Sequence, residues 1–179
     1  TTIQINLYRV AKNSQVINAL INAARNGKRV EAMVELAARF DEKHNLKVAN
    51  DLQEAGATVR VGIPNLKVHS KLILVTRKKK GKVQRFGHIG TGNFHERNAG
   101  IYEDLSLFTV NPKLTGELAK LFDFFENTFE RKTYRHLIVS PFSTRRKLVR
   151  MIDEEIALAK RGEEAWIRLK LNNLVDAKM

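Results

Sequence analysis

Two strand-then-helix units follow one another from the start of the chain, and this succession restricts the fold more than any other feature. Residues 2–10 (TIQINLYRV) alternate apolar and polar side chains as a half-buried strand does. In SQVINALINAARNGK, Ser14 is placed to cap a helix, Val16, Leu20 and Ala24 share one face, and Gly27 follows as a stop. Residues 29–40 (RVEAMVELAARF) begin as a second strand, residues 42–55 suit a helix closed by Gly56, and ATVRVG is a third strand. Consecutive β-α units predict an α/β fold: a parallel or mixed sheet flanked by helices.

The rest of the chain is consistent with that class. KVHSKLILVTR (67–77) and KVQRFGHIG (82–90) read as a hairpin, and IYEDLSLFTV (101–110) as a further strand. Leu114, Leu118, Leu121, Phe122, Phe125 and Phe129 fall at helical spacing, which predicts an amphipathic helix with those phenylalanines in the core. Another helix is expected from Ser143 to Arg161, ended by Gly162. Beyond it, Ile167, Leu169 and Leu171 alternate as Ile3, Ile5 and Leu7 do, a faint internal repeat. The organisation read from this is a first domain over 1–135 and, over 136–179, the beginning of a second, similar one. The sequence therefore reads as a piece of a longer protein.

Composition narrows the function. Thirty-two Lys and Arg against 19 Asp and Glu give a net charge of +13, which calls for a polyanion or a phosphorylated small molecule. Nucleic acid, anionic lipid, nucleotide and inorganic phosphate chains all satisfy that demand. The excess is local: residues 67–85 hold eight basic side chains and no acid, and residues 135–150 hold five and no acid. No apolar run approaches the ~20 residues that span a bilayer, and the absence of cysteine agrees with a reducing compartment. The expected location is cytoplasmic.

The chemistry concentrates in one strand. In KVHSKLILV, Lys67, His69 and Lys71 share one face while Val68, Ser70, Leu72 and Leu74 share the other. Setting a titratable ring between ammonium groups on a buried strand is costly unless an anion compensates. Arg9 lies at the carboxyl end of the first strand and Arg39 just beyond the second, at the sheet edge where ligands bind in open α/β folds. In GHIGTGNFHERN, Gly90 and Gly92 leave room for backbone N–H groups to approach an anion, with Asn93 as a side-chain donor. The pocket so assembled suits a phosphoryl group: guanidinium and ammonium groups bind its oxygens, and a neutral imidazole can attack phosphorus.

The conjunction of His-x-Lys with Gly-Thr-Gly-Asn resembles the phospholipase D superfamily, in which the histidine is the nucleophile and two half-sites meet. The acidic residue of that pattern is replaced by Thr76. The chain is most similar to a divergent branch, the polyphosphate kinase family, through LYRVAKNSQVINALINAARNGK, VELAARFDEKHNLKVANDLQEAGATVRVG, KVHSKLILVTR, HIGTGNFHERNAGIYEDLSLFT and LIVSPFSTRRKLVRMIDEEIALAKRGEEAWIRLKLNNLVD.

The resemblance implies a phospholipase D-like mixed sheet flanked by helices, plus the start of a second such domain. It implies an enzyme that moves the γ-phosphate of ATP reversibly to inorganic polyphosphate, with His69 as the phosphorylated residue. It places Arg9 and Arg39 at the phosphates of Mg-ATP, with Mg2+ beside them, adds Lys71 and Asn93 to the phosphate site, and puts Tyr102 at the nucleotide. It further implies a second histidine and another arginine in a domain that here stops after its first strand, so the isolated chain should fold but turn over poorly or not at all. ATP, ADP and polyphosphate are the expected partners, with no specific nucleic acid, a homo-oligomer in the full-length protein, and some association with membranes. Of the other histidines, His44 is read as a surface residue of a helix, His88 and His95 flank the glycine turn within reach of a phosphate, His136 has no assigned role, and no histidine spacing suggests a metal site. Two other readings stay open: a phosphodiesterase of the phospholipase D type, and a non-enzymatic polyanion-binding module.

Overall fold

The structure, a computed structural model, describes residues 1–38, 40–130, 132–171 and 174–176. The chain divides into two compact units, 1–133 and 134–179. The first is a six-stranded mixed sheet in the order β3-β2-β1-β4-β5-β6. Its strands are β1 (Thr2–Leu7), β2 (Arg29–Val34), β3 (Thr58–Val61), β4 (Lys71–Lys79), β5 (Lys82–Gly90) and β6 (Ser106–Thr109). The helices are α1 (Gln15–Arg25), α2 (Glu42–Glu54), the short α3 (Glu96–Ala99) and α4 (Pro112–Glu126).

β1, β2 and β3 run parallel, as their helical crossovers require, and β4 joins β1 antiparallel, followed by antiparallel β5 and β6. The carboxyl ends of β1, β2, β3 and β5 therefore lie at the same sheet edge as the amino ends of β4 and β6. One face of the sheet packs Ile5, Leu7, Val30, Ala32 and Val34 against Ile17 and Leu20 of α1 and Val48, Ala49 and Leu52 of α2. Burying each of the valine, leucine and isoleucine side chains stabilises the fold by about 1.5–3 kcal/mol before chain entropy is counted. Ser14 caps α1 by accepting from the N–H of Ile17 at 3.5 Å, and Gly27 and Gly56 end α1 and α2 with φ of +70° and +93°.

α4 packs against β4 and β5 and buries Leu118, Leu121, Phe122 and Phe125. A Cβ on Gly87 would lie 2.6 Å from Leu118 Cδ1, so the glycine sets how closely α4 meets β5. Phe129, expected in the core, is 96% exposed, because the helix ends at Asn127, whose φ of −133° is extended.

Two strands are shorter than the sequence suggests. The run from Lys67 enters the ladder only at Lys71, and IYEDLSLFTV pairs only over Ser106–Thr109. In the second unit, α5 (Thr144–Lys160) forms as expected, and the Lys147 ammonium group donates to the carbonyls of Tyr134 (2.8 Å), Arg135 (3.3 Å) and Leu137 (2.9 Å). Ile167, Leu169 and Leu171 belong to no strand; with no described neighbour to pair their backbone groups, alternation alone does not make a ladder.

Candidate active site

His69, Lys71, Lys67 and Arg9 meet at the edge where β1 ends and β4 begins, and the local structure there is built by three buried polar side chains. Asn6, on β1, accepts from the N–H of Leu72 at 2.8 Å and donates to the Ser70 carbonyl, taking the place of backbone pairing just where the ladder stops. Glu35, at the end of β2, accepts from the N–H of Val68 (2.7 Å) and of Ala37 (2.8 Å), tying the approach to His69 to the loop that leads to Arg39. Asn45, on α2, donates to the carbonyls of Tyr8 and Glu35, each at 2.8 Å. Residues 67–70 are thus held by side chains rather than by a neighbouring strand, which is why the expected strand begins late.

His69 projects to solvent from this segment. Its ring packs edge-on against Tyr8, centroids 4.4 Å apart. The Lys71 ammonium lies 3.1 Å from Nδ1 and 3.2 Å from Nε2 of His69 and also donates to its carbonyl. Lys71 is only 3% exposed. The Tyr8 ring is the hub of the cluster: Lys71 Nζ lies 4.9 Å, Lys67 Nζ 5.5 Å and Arg9 Cζ 5.7 Å from its centroid. An aromatic face attracts cations, so Tyr8 offsets part of their mutual repulsion. Arg9 Nε also pairs with Asp41 at 2.9 Å.

The electrostatics favour a neutral imidazole. Burial lowers the His69 pKa below the usual 6.5, and the charges of Lys71, Lys67 and Arg9 lower it further. Burial also brings Lys71 from 10.5 down to about 8; Asp104 opposes the shift and Arg9 adds to it. At neutral pH the pair is an uncharged imidazole beside a charged ammonium group.

The glycine turn is shaped by two neighbouring side chains. A Cβ on Gly92 would lie 2.3 Å from Asp104 Oδ2, and one on Gly90 would lie 2.8 Å from His88 Cε1. The Thr91 N–H bonds to the Leu105 carbonyl at 3.0 Å, and its hydroxyl to Asp104 at 2.8 Å. The glycines therefore make room for His88 and Asp104. Asn93 follows β5 at the same edge, its buried Oδ1 without a hydrogen-bond partner. Tyr102 stands in a turn after α3, 64% exposed, outside the strand in which it was expected. Arg39 lies outside the described residues. His88 is buried between Phe94 and Phe108, and His95 caps α3.

Among the described residues no group of three or more His, Asp or Glu side chains is placed to hold a metal ion, and the cluster around His69 is cationic. A resident divalent cation does not fit this donor set. No described helix is long and apolar enough to cross a membrane. Sequence reasoning passed over Tyr8, Asn6, Glu35, Asn45 and Asp104. The one signal it had was Glu35, an acid directly after the apolar run AMV.

A mixed α/β sheet with a histidine and a lysine at the entrance to its fourth strand is the arrangement of a phospholipase D-like domain. The comparisons are narrower. Residues 1–131 match the family model for polyphosphate kinase C-terminal domain 1, and residues 137–179 match that for C-terminal domain 2. The chain belongs to the polyphosphate kinase family. It is 50% identical over 175 residues to the polyphosphate kinase of Vibrio cholerae and 51% identical over 174 residues to that of Escherichia coli K12. These alignments cover 98% and 97% of the chain and 25% of each relative, so the chain spans about a quarter of their length. The crystal structure of polyphosphate kinase from Porphyromonas gingivalis superposes with a TM-score of 0.85 at 35% identity, over 99% of this chain and 30% of that one.

Proposed function

We propose that this chain is the catalytic portion of a phosphotransferase that moves the γ-phosphate of ATP reversibly to inorganic polyphosphate through phosphohistidine at His69. The observation that carries the reading is the neutral imidazole of His69 set among Lys71, Lys67 and Arg9. A lone pair on the imidazole attacks the γ-phosphorus, the bond to the bridging oxygen breaks, and ADP leaves with that electron pair. A terminal oxygen of polyphosphate then attacks the phosphohistidine, breaking the N–P bond and restoring the imidazole. Both steps develop charge on phosphoryl oxygens, and Lys71 and Arg9 are fixed donors for it.

Arg9 and Arg39 bind the nucleotide phosphates in this reading, Asn93 lends its amide, and Tyr102 meets the nucleotide. Mg2+ enters with ATP as part of the substrate, because a guanidinium has no lone pair to hold a cation. The full-length protein is cytoplasmic and oligomeric, with the remainder of the site supplied by its second phospholipase D-like domain.

A pulse-chase tests the two-step route. Full-length protein loaded with γ-labelled ATP and freed of nucleotide should pass its label to unlabelled polyphosphate, or back to ADP. Label that dissociates only as free phosphate under both conditions would reject the transfer.

A further inference from the structure

We infer that the tip of the β4–β5 hairpin is a second anion site that docks a linear inorganic polyphosphate chain at the sheet edge opposite His69; this rests on the function proposed above. Thr76 is the last residue of β4 paired with β1, and Gly87 the first of β5 paired with β6. From Arg77 to Phe86 the two strands pair only with each other, and every residue of that ribbon is exposed. Lys79 lies eight residues along β4 from Lys71, about 26 Å at ~3.3 Å per residue.

The ribbon is charged where its own stability would have it neutral. Lys79 and Lys82 are directly opposed across the ladder, an arrangement that destabilises a strand pair. The turn between them is Lys80-Gly81, with φ of 47° and 75°. A two-residue turn of this kind favours Asn or Asp in the position that Lys80 holds. A charged edge does discourage strand-to-strand aggregation, but mixed signs serve that end as well. Here no carboxylate occurs between Glu54 and Glu96, and no ion pair engages Lys78, Lys79, Lys80, Lys82 or Arg85 among the described residues. Arg77 is held in place, donating to Gln84 at 2.8 Å with its guanidinium 4.9 Å over Phe86.

The placement of the cations favours a flexible single polyanion. Arg77, Lys79 and Lys82 share one face of the ribbon, Lys78 and Arg85 the other, and Lys80 occupies the tip. A flat lipid surface reaches one face at a time, whereas a phosphate chain passes around both. Single-stranded nucleic acid binds through aromatic stacking platforms, and the one aromatic ring on the ribbon, Phe86, lies under Arg77.

The test compares tripolyphosphate, which fits the His69 pocket alone, with long-chain polyphosphate, over a range of salt, for the wild-type protein and K78Q/K79Q/K80Q/K82Q. The expected result is unchanged tripolyphosphate affinity, long-chain binding weakened by about tenfold or more, and a salt slope shallower by about 3. Circular dichroism should show the variant folded, with a melting temperature no lower than wild type, since it loses an opposed like-charge pair. Long-chain binding equal to wild type overturns the proposal. So does an equal dependence on these lysines for duplex DNA or for phosphatidylglycerol vesicles, which would make the ribbon a general anion patch. Failure of the wild-type protein to bind tripolyphosphate, or binding indifferent to Lys71→Ala, counts against the His69 pocket and leaves the long-chain comparison to decide the ribbon.

Discussion

Lys71 lies against both ring nitrogens of His69, and its own charge is marginal. Because Lys71 titrates at about 8 in the free protein, kcat/KM for phosphorylation of His69 should fall as pH rises through that value. The acid limb should lie below 6.5, since the lowered pKa of His69 keeps the imidazole unprotonated to lower pH than usual. Lys71→Arg should remove the alkaline limb, and Lys71→Ala should cost about a hundredfold in rate, the loss of one fixed donor to a developing oxyanion. Asp104 raises the Lys71 pKa, so Asp104→Asn should move the alkaline limb below 8. A pH–rate profile of each variant checks these shifts. His69 and Lys71 were legible because charge on an apolar strand is conspicuous. Tyr8 was not, because an aromatic at the end of a strand reads as core until three cations are found around it.

At the scale of elements, the site depends on backbone that no neighbouring strand holds. Glu35 carries the approach to His69 through two N–H bonds, and hydrogen bonds to a charged group contribute about 1.5–3 kcal/mol each. Glu35→Ala should therefore lower stability by roughly 3 kcal/mol in denaturant unfolding, with phosphorylation of His69 impaired even where the protein remains folded. Gly87→Ala acts elsewhere: its methyl meets Leu118 at 2.6 Å, and overpacking of this kind costs about 1–3 kcal/mol without touching the His69 cluster. Periodicity and caps placed α1, α2 and α5 and the hairpin correctly. It misjudged the strands at 67–70, 101–105 and 167–171 because alternation reports which side chains face apart, while a strand also needs a partner in register. At 67–70 the partners are Asn6 and Glu35, polar side chains distant from that segment in sequence; only Glu35, directly after the apolar run AMV, carried a signal.

At the scale of the whole molecule, large apolar side chains stand exposed on each unit. Ile101, Leu105, Leu107, Phe108 and Val110 stand exposed on the first unit, and Trp166, Ile167, Leu169 and Leu171 on the second. Exposed apolar side chains in this number favour association. The isolated chain should accordingly associate as its concentration rises, which sedimentation velocity will show as a growing weight-average coefficient; a constant monomer value would contradict that expectation. The fold class and the His69–Lys71 pair could be read from this quarter of the family's length, whereas residues supplied by the remainder of its relatives could not.

The central claim is that His69 carries the phosphoryl group, and mapping the phosphorylated residue tests it most directly. Full-length protein incubated with γ-labelled ATP and Mg2+ should hold label that survives alkali, is lost in acid, resides on the peptide containing His69, and is absent from His69→Ala. Label on another residue, or label retained by His69→Ala, would contradict the account.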